Sequence, residues 1–546
     1  MNHRVSVSAR GLTKHVGRNV PVLQDVSLSL AGGELVAVVG GSGAGKTTLL
    51  EALAGVAPAD AGRVMFDGID VYRDRELVRS VLGYVPQDDI IHTDLPLERT
   101  LHYAARLRLD PRLESTEVEE RMRHALATLA LEEHAGTVVA SLSGGQRKRA
   151  SIAVEMLSEP RVFFLDEPTS GLDPATAADL LRTLRGLADR GTTVLFTTHA
   201  VQDLTLCDRV VFLARGGRLA FVGSVAEACR HFGVSSPDRI YERIDSAPAR
   251  PPDDVGVEVV ETRRAWERSR LPGALRQWWA LSTRTFETLV RNKLTLAILL
   301  GAPAMVVAMF AVLFRPDAFD PTHPDPTSIL MIIFWITFGS FFFGLTYGLL
   351  QIVTECSILR REYLVGLRLG PYLLSKIAVL LPFLVVVNVL MLVGLRALDR
   401  LPPASLRTYG SLAVTLALCA LAALALGLLA SAGVENPSQA TLALPMLCFP
   451  AVLFSGAILP VHVMAQAGRW ISVIVPVRWA FEAVGRDLRV RDLLLGGSSP
   501  LGPPLVESYG NAGTSAIGLY WSYLIGFALL FLLCASAMLR RKMRRR

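Results

Sequence analysis

The run Gly40, Gly41, Ser42, Gly43, Ala44, Gly45, Lys46, Thr47 and Thr48 has the residue types that hold phosphate. Its glycines let successive backbone N–H groups turn inward on anionic oxygens, and a helix beginning there adds the positive end of its dipole. Lys46 is placed to reach the β- and γ-phosphates of a nucleotide, and Thr47 to offer a hydroxyl to Mg²⁺. An ordinary glycine-rich strand–helix turn would need neither Lys46 nor Thr47. A second stretch, VFFLDE from Val162 to Glu167, ends an apolar run in two acids. At the C-terminal end of a buried strand, Asp166 acts on Mg²⁺ through water and Glu167 polarises the attacking water as general base. A third stretch, LSGGQRKR from Leu142 to Arg149, sets Ser143, Gly144, Gly145 and Gln146 before a basic run. It is a second phosphate-cradling turn in a chain that already has one.

The elements that must position these groups follow from the patterning. Leu35–Val39 reads as a strand into the first glycine turn, and Thr48–Ala54 as the helix after it. Up to about Gly233, short β-branched runs alternate with helical patterns, which predicts an α/β domain with parallel strands and crossover helices. Residues 234–270 turn polar and proline-bearing (DSAPARPPDDVG) and read as a linker. Within 271–293, Leu275, Trp278, Trp279, Phe286, Leu289 and Val290 share one helical face, while Arg276, Gln277, Arg284 and Glu287 lie elsewhere. An amphipathic helix with tryptophans just ahead of apolar spans reads as lying at a membrane interface.

From 294 to 546 come six charge-free apolar stretches, Leu294–Phe314, Ser328–Leu350, Ile377–Leu395, Tyr409–Ser431, Ser438–Leu459 and Gly518–Leu539. Each approaches the ~20 residues a spanning helix needs. An even number of spans returns both termini to one side, and Arg291, Lys293, Arg360, Arg361, Arg368 and the terminal RRKMRRR gather there. Arg396, Arg400, Arg407, Arg469, Arg478, Arg486, Arg489 and Arg491 fall on the other side and spoil a simple positive-inside count.

Composition agrees with this division. The chain has 546 residues, 51% hydrophobic and 19% charged, and a net charge of +7. Its mean hydropathy is +0.39 and its pI about 9.2. The basic residues flank apolar runs instead of forming one patch, so membrane lipid and not nucleic acid is the expected partner. Six scattered cysteines form no CxxC pair, so neither a zinc site nor a disulfide framework is expected. The polar N-terminus lacks a signal-peptide pattern. Arginine far outnumbers lysine, as in a GC-rich bacterial genome.

The order of motifs resembles that of ATP-binding cassette (ABC) proteins. LSGGQ looks like their signature, Gln87 in YVPQDD like the Q-loop glutamine, Asp173 in SGLDP like the D-loop aspartate and His199 in TTHA like the switch histidine. Cassette first and membrane domain second is the order of the G subfamily, and several passages resemble its wording. These are SGGQRKRASIAVEML, DRVVFLARGGRLAFVGSVAEACRHF, ECSILRREYLVGLRLGPYLLSK, LFSGAILP and RWISVIVPVRWAFEAV. The resemblance implies a P-loop cassette with a helical subdomain, then an all-α type-2 exporter domain of six helices. It implies ATP and Mg²⁺ as cofactors, with Gln87 joining Thr47 and Asp166 at the metal, and His199 and Lys46 joining Glu167 in catalysis.

It also implies that the signature of one copy closes over ATP held by the P-loop of another. One copy of each half-site and six spans then make a half-transporter, most simply a homodimer, in the plasma membrane with both termini cytoplasmic. The substrate cavity would be lined by spans two and five, with Phe343 and Phe449 facing it and Ile458 nearer the outer gate, and would suit hydrophobic, amphipathic or lipid-like molecules. One element departs from the family. Where an aromatic usually stacks on adenine, KHVG offers Val16 or His15. The alternative function is a membrane-bound ATP sensor that transports nothing, but such proteins tend to lose catalytic groups that are intact here. An importer is disfavoured by fusion of the cassette to its membrane domain.

Overall fold

A computed structural model describes residues 4–17, 20–244, 271–509 and 512–544. Most of the expected linker, 245–270, lies outside the described residues. The chain divides into two compact units, one of Met1–Gly273 with Arg361–Leu367, the other of Ala274–Arg360 with Arg368–Arg546.

The first unit is built on a ten-stranded sheet. Its strands are β1 (Val7–Val16), β2 (Val20–Leu30), β3 (Leu35–Gly40), β4 (Ala61–Phe66), β5 (Ile69–Asp70), β6 (Leu82–Val85), β7 (Val162–Leu165), β8 (Thr193–Thr198), β9 (Arg209–Ala214) and β10 (Arg218–Gly223), in spatial order β5-β4-β1-β2-β10-β9-β3-β8-β7-β6. From β9 to β6 the neighbours are parallel, as the alternating pattern predicts. The other side of the sheet departs from that expectation, for β1, β2, β4 and β5 pair antiparallel among themselves, as do β9 and β10, and only the β2–β10 contact is parallel there. The reason is connection length, because β1 and β2 are too close in sequence for a crossover and can only fold back on each other. Every residue of β3 is buried. Leu35, Ala37 and Val39 feed a core that also holds Ile152, Leu165 and Leu184, while Val36 and Val38 feed a second core with Leu49, Leu53 and Phe66. A strand covered on both faces must be apolar throughout, which is why LVAVV shows no alternation. Packing continues beyond Gly233, since Ile240 and Ile244 are buried in the first of these cores.

The second unit is helical. Among the described residues five of its helices are long and apolar enough to cross a membrane, namely Lys293–Leu313, Pro326–Leu349, Leu369–Ala397, Leu406–Gly433 and Ile517–Met543. The stretch expected as the fifth span, Ser438–Leu459, is a shorter helix, Pro437–Leu453. Pro445 and Pro450 lie inside it, each removing a backbone donor, and Gly456 turns left-handed (φ 82°) soon after it ends. The helices 326–349 and 406–433 pack backbone to backbone. A Cβ on Gly348 would come within 2.6 Å of the Leu424 carbonyl oxygen, and one on Gly427 within 2.6 Å of that of Leu345.

The helix Ala274–Arg291 buries a mixed face, in which Ala280, Leu281 and Leu289 lie with two polar groups. Gln277 and Arg284 are buried, whereas Leu275, Trp279, Phe286 and Val290 are exposed. Gln277 Oε1 accepts the Arg368 N–H at 3.0 Å. Arginines that spoiled the positive-inside count have structural work. Arg400 donates to the carbonyls of Leu398 (2.8 Å) and Ala311 (3.1 Å), Arg469 to that of Met464 (3.0 Å), and Arg478 pairs with Glu482 at 2.9 Å.

Candidate active site

Gly40 closes β3, and the turn after it leads into the helix Lys46–Leu53. Gly43 and Gly45 take the left-handed conformation (φ 75° and 92°). A Cβ on Gly45 would lie 2.6 Å from the Val22 carbonyl oxygen, and one on Gly40 2.6 Å from that of Leu213. Both the dihedrals and the space thus demand glycine. Lys46 Nζ donates to the carbonyls of Gly40 (2.9 Å) and Gly41 (3.2 Å), so its charge rests over the loop that would hold phosphate. Thr47 Oγ1 donates to Asp166 Oδ1 at 3.2 Å. This joins two of the three groups expected at Mg²⁺ although they are 119 residues apart. No group of three or more His, Cys, Asp or Glu able to hold a metal occurs among the described residues. A hydroxyl and one carboxylate fit a hard cation that takes most of its oxygens from water and phosphate.

The acids sit where β7 ends. Asp166 is buried and also accepts from the Thr197 hydroxyl at 2.5 Å. Thr197 in turn accepts the Glu167 N–H at 2.8 Å. Glu167 has φ 45°, a left-handed conformation that costs a non-glycine residue about 1–3 kcal/mol. The bond from Thr197 holds that geometry, and nothing in the sequence singled Thr197 out. Glu167 Oε2 accepts from Gln87 Nε2 at 3.2 Å, and His199 Nδ1 lies 3.8 Å from Glu167 Oε1. Glu167 and His199, expected together in catalysis, are therefore close, and Gln87, expected at the metal, is hydrogen-bonded here to Glu167. Tyr241 steadies it from behind by donating to the His199 carbonyl at 3.2 Å, and burial pushes its phenol up to about 12.

The second glycine turn is built differently. Ser143 caps the helix Gly144–Met156, accepting the Gln146 N–H at 3.2 Å while Gln146 Oε1 accepts the Ser143 N–H at 2.9 Å. Gln146 Nε2 also lies 2.8 Å from His134 Nε2. Gln146 is thus occupied within its own chain, whereas Ser143 and Gly144 are exposed. A Cβ on Gly144 would meet nothing within 4 Å, and its φ is not left-handed. Among the described residues no hydrogen bond or ion pair links Ser143–Gln146 to residues 40–48. Asp173 caps the helix Pro174–Asp189, accepting from Ala175 and Thr176, and these bonds, that of Thr176 first, lower its pKa.

The same signature helix carries two groups that sequence reasoning passed over. Lys148 is buried and donates to the Gln87 carbonyl at 2.5 Å. Glu155, fully buried, sits between Arg108 at 2.8 Å and Arg361 at 2.7 Å. Burial alone would raise the Glu155 pKa, but the two guanidinium groups outweigh it and the result is lowered. At the expected adenine position, His15 Nδ1 is 3.2 Å from Asp60 Oδ2, and Val16 is exposed. In the second unit Phe343 is buried beside the Phe342 ring, whereas Phe449 and Ile458 are exposed. None of the three lines the cavity of about 210 Å³ among Phe481, Leu494, Leu505 and Arg489.

A family model described as ABC transporter matches residues 23–170, and one described as ABC-2 type transporter matches residues 276–485. The chain is 32% identical over 519 residues to an ABC transporter ATP-binding/permease protein of Mycobacterium tuberculosis, covering 90% of this chain and 59% of that one. It is 37% identical over 249 residues to ABC transporter G family member 28 of Arabidopsis thaliana, covering 43% of this chain and 22% of that one. It therefore spans less than two thirds of the length of either relative.

Proposed function

Because this chain belongs to the ABC transporters, an ATP-binding cassette followed by an ABC-2 type membrane domain, we propose that it is a half-transporter, two copies of which hydrolyse ATP at shared sites and export an amphipathic or lipid-like substrate. The observation that carries the pairing is Gly144. Its own chain demands no glycine there, yet it stands exposed at a helix N-terminus beside Ser143. A residue kept without a side chain where its own chain leaves room is suited to something arriving from outside, and a helix N-terminus suits an anion. The γ-phosphate of ATP held by the P-loop of the other copy meets both requirements.

In this reading Thr47 and Asp166, already hydrogen-bonded to each other, would hold Mg²⁺, which would supply charge neutralisation at the phosphates. Lys46 leaves the carbonyls of Gly40 and Gly41 for the β/γ-phosphates. Glu167, aligned by Gln87 and by the Thr197 bond to its N–H, takes the proton of the attacking water, and His199 steadies the leaving phosphate side. The exposed apolar face of Ala274–Arg291 lies against lipid. ATP is cytosolic, so the N-terminus is cytoplasmic and the loop 315–325 is outside; with the shorter helix Pro437–Leu453 as a sixth crossing, the C-terminus is cytoplasmic too. The exposed apolar residues Phe449 and Ile458 supply part of a cavity shared by two copies.

Co-expression of two dead variants tests the pairing. Lys46→Ala removes the phosphate-gripping charge, and Gly144→Asp puts a carboxylate where the γ-phosphate must sit. If sites are shared, a mixed dimer gathers both lesions in one site and leaves the other intact, so up to roughly a quarter of normal ATPase returns. If each chain builds its own site, nothing returns. Purified mixed dimers with neither ATP occlusion nor hydrolysis overturn the shared site. Orientation is tested separately with single cysteines on a cysteine-free background, one in 315–325 that reacts with an impermeant thiol reagent outside intact cells and one near Arg361, at the exposed Ser357, that does not.

A further inference from the structure

The loop after β6 is held to the signature helix by two cations, three residues apart along the loop. Lys148 Nζ donates to the Gln87 carbonyl at 2.5 Å, and Arg361 Nη1 donates to the Ile90 carbonyl at 2.5 Å. Arg361 is itself fixed to that helix through the Ser151 carbonyl (3.0 Å) and Glu155 (2.7 Å). Lys148 is one turn from the exposed cap at Ser143, and Glu155 lies near the other end of the helix. Withdrawing an ammonium from water is costly unless it is hydrogen-bonded, and Lys148 is 5% exposed. The nearest carboxylate, Asp89 Oδ1, is 3.9 Å away and has no hydrogen-bond partner. The short contact of Lys148 is thus to the main chain of Gln87, not to an acid. The Gln87 side chain in turn donates to Glu167 Oε2 at 3.2 Å. A continuous line therefore runs from the signature, through Lys148 and Gln87, to the general base of the same chain.

We propose that Lys148 is a positioning residue, which fixes the loop 87–90 to the signature helix so that Gln87 aligns Glu167 when that helix seats on the nucleotide of the other copy. The inference rests on the shared-site reading above. Its consequence is that the two ATP sites are coupled within each chain. The helix that closes over the partner's ATP sets the water-activating glutamate over its own. A rigid helix suits this, because a displacement at Ser143 is carried to Lys148 without loss along one turn of hydrogen-bonded backbone.

The test uses the full chain in lipid nanodiscs. Lys148→Met lowers kcat by roughly tenfold or more while KM for ATP stays within about threefold, as expected for a group that acts on the transition state and not on binding. Lys148→Arg, which keeps a cationic donor, recovers most of the loss. Gln87→Ala and the double variant lose similar amounts, because Lys148 acts through Gln87. ATP trapping by a Glu167→Gln chain persists when Lys148→Met is added. A kcat within twofold of the parent, losses that multiply in the double variant, or loss of ATP trapping overturns the proposal, the last by assigning Lys148 to the signature itself. Should Lys148→Met not fold, Lys148→Gln is measured in the same way. Failure of the Lys46→Ala and Gly144→Asp rescue would instead remove the shared site, whatever the Lys148 cycle gives.

Discussion

The two glycine turns of the cassette look alike in sequence and are unlike in structure. Around Gly40–Thr47 the fold itself requires glycine, for Gly43 and Gly45 are left-handed and a Cβ on Gly40 or Gly45 would strike a neighbouring carbonyl. At Gly144 it does not, since Gly144 is in open space and the helix is capped without its help, although a Cβ on the neighbouring Gly145 would lie 3.2 Å from the Leu172 side chain. The first turn is complete in one chain. The second is an exposed helix end capped by Ser143 and Gln146 of its own chain.

That comparison can be broken or sharpened by experiment. The largest effect is expected at the first turn's partner strand. Glu167→Gln should bind ATP but lose turnover by about 10²–10⁴-fold, because an amide keeps size and hydrogen bonding yet cannot accept the proton. Near-normal ATPase in this variant would remove Glu167 from catalysis. Next is the anchor of the signature helix. Glu155→Gln leaves Arg108 and Arg361 buried without their carboxylate, and breaking such a group typically costs about 3–5 kcal/mol. Chemical unfolding of the purified chain checks this, and a loss below about 1 kcal/mol would make the triad incidental.

The same residue gives a pH signature. The Glu155 pKa is lowered on folding from its ordinary 4.5, so its contribution is fully present above that value and falls away as the pH drops below it. Thermal unfolding between pH 7 and pH 3 should show this slope in the parent and a shallower one in Glu155→Gln. Smallest, and closest to the comparison, are two alanines. Gly45→Ala should cost roughly 1–3 kcal/mol and abolish ATP binding, since it is strained and blocked at once. Gly144→Ala should leave stability within about 1 kcal/mol, or raise it, while weakening ATP-driven closure. If Gly144→Ala destabilises as much as Gly45→Ala, the two turns do not differ as described.

Much of the site was legible because its signals are local. The P-loop spacing, the acids closing VFFL, and Gln87 and His199 in their motifs all lie in short contiguous stretches whose backbone is set by nearby residues. The structure then brings Thr47 to Asp166, and Gln87 and His199 to Glu167. Thr197 was not legible, because a threonine inside a buried strand reads as β propensity. Lys148 was read as part of a basic run, and Arg361 as a charge flanking a span. Neither residue type announces burial. The helix Ala274–Arg291 shows the opposite case, for its faces were readable, but which of them packs on protein was not.

The sequence by itself determined the phosphate turn, the acid pair, the division into an α/β half and an apolar half, and most of the candidate spans, since hydrophobic period and glycine placement act over a few residues. Only the tertiary structure decided the antiparallel half of the sheet, the end of the 437–453 helix at Leu453, and the partners of Lys148 and Arg361, which lie 61 and 206 residues from the groups they hold. A buried cation takes whatever acceptor the packing brings within reach, and that is fixed by how distant segments close around it, not by its neighbours in the chain.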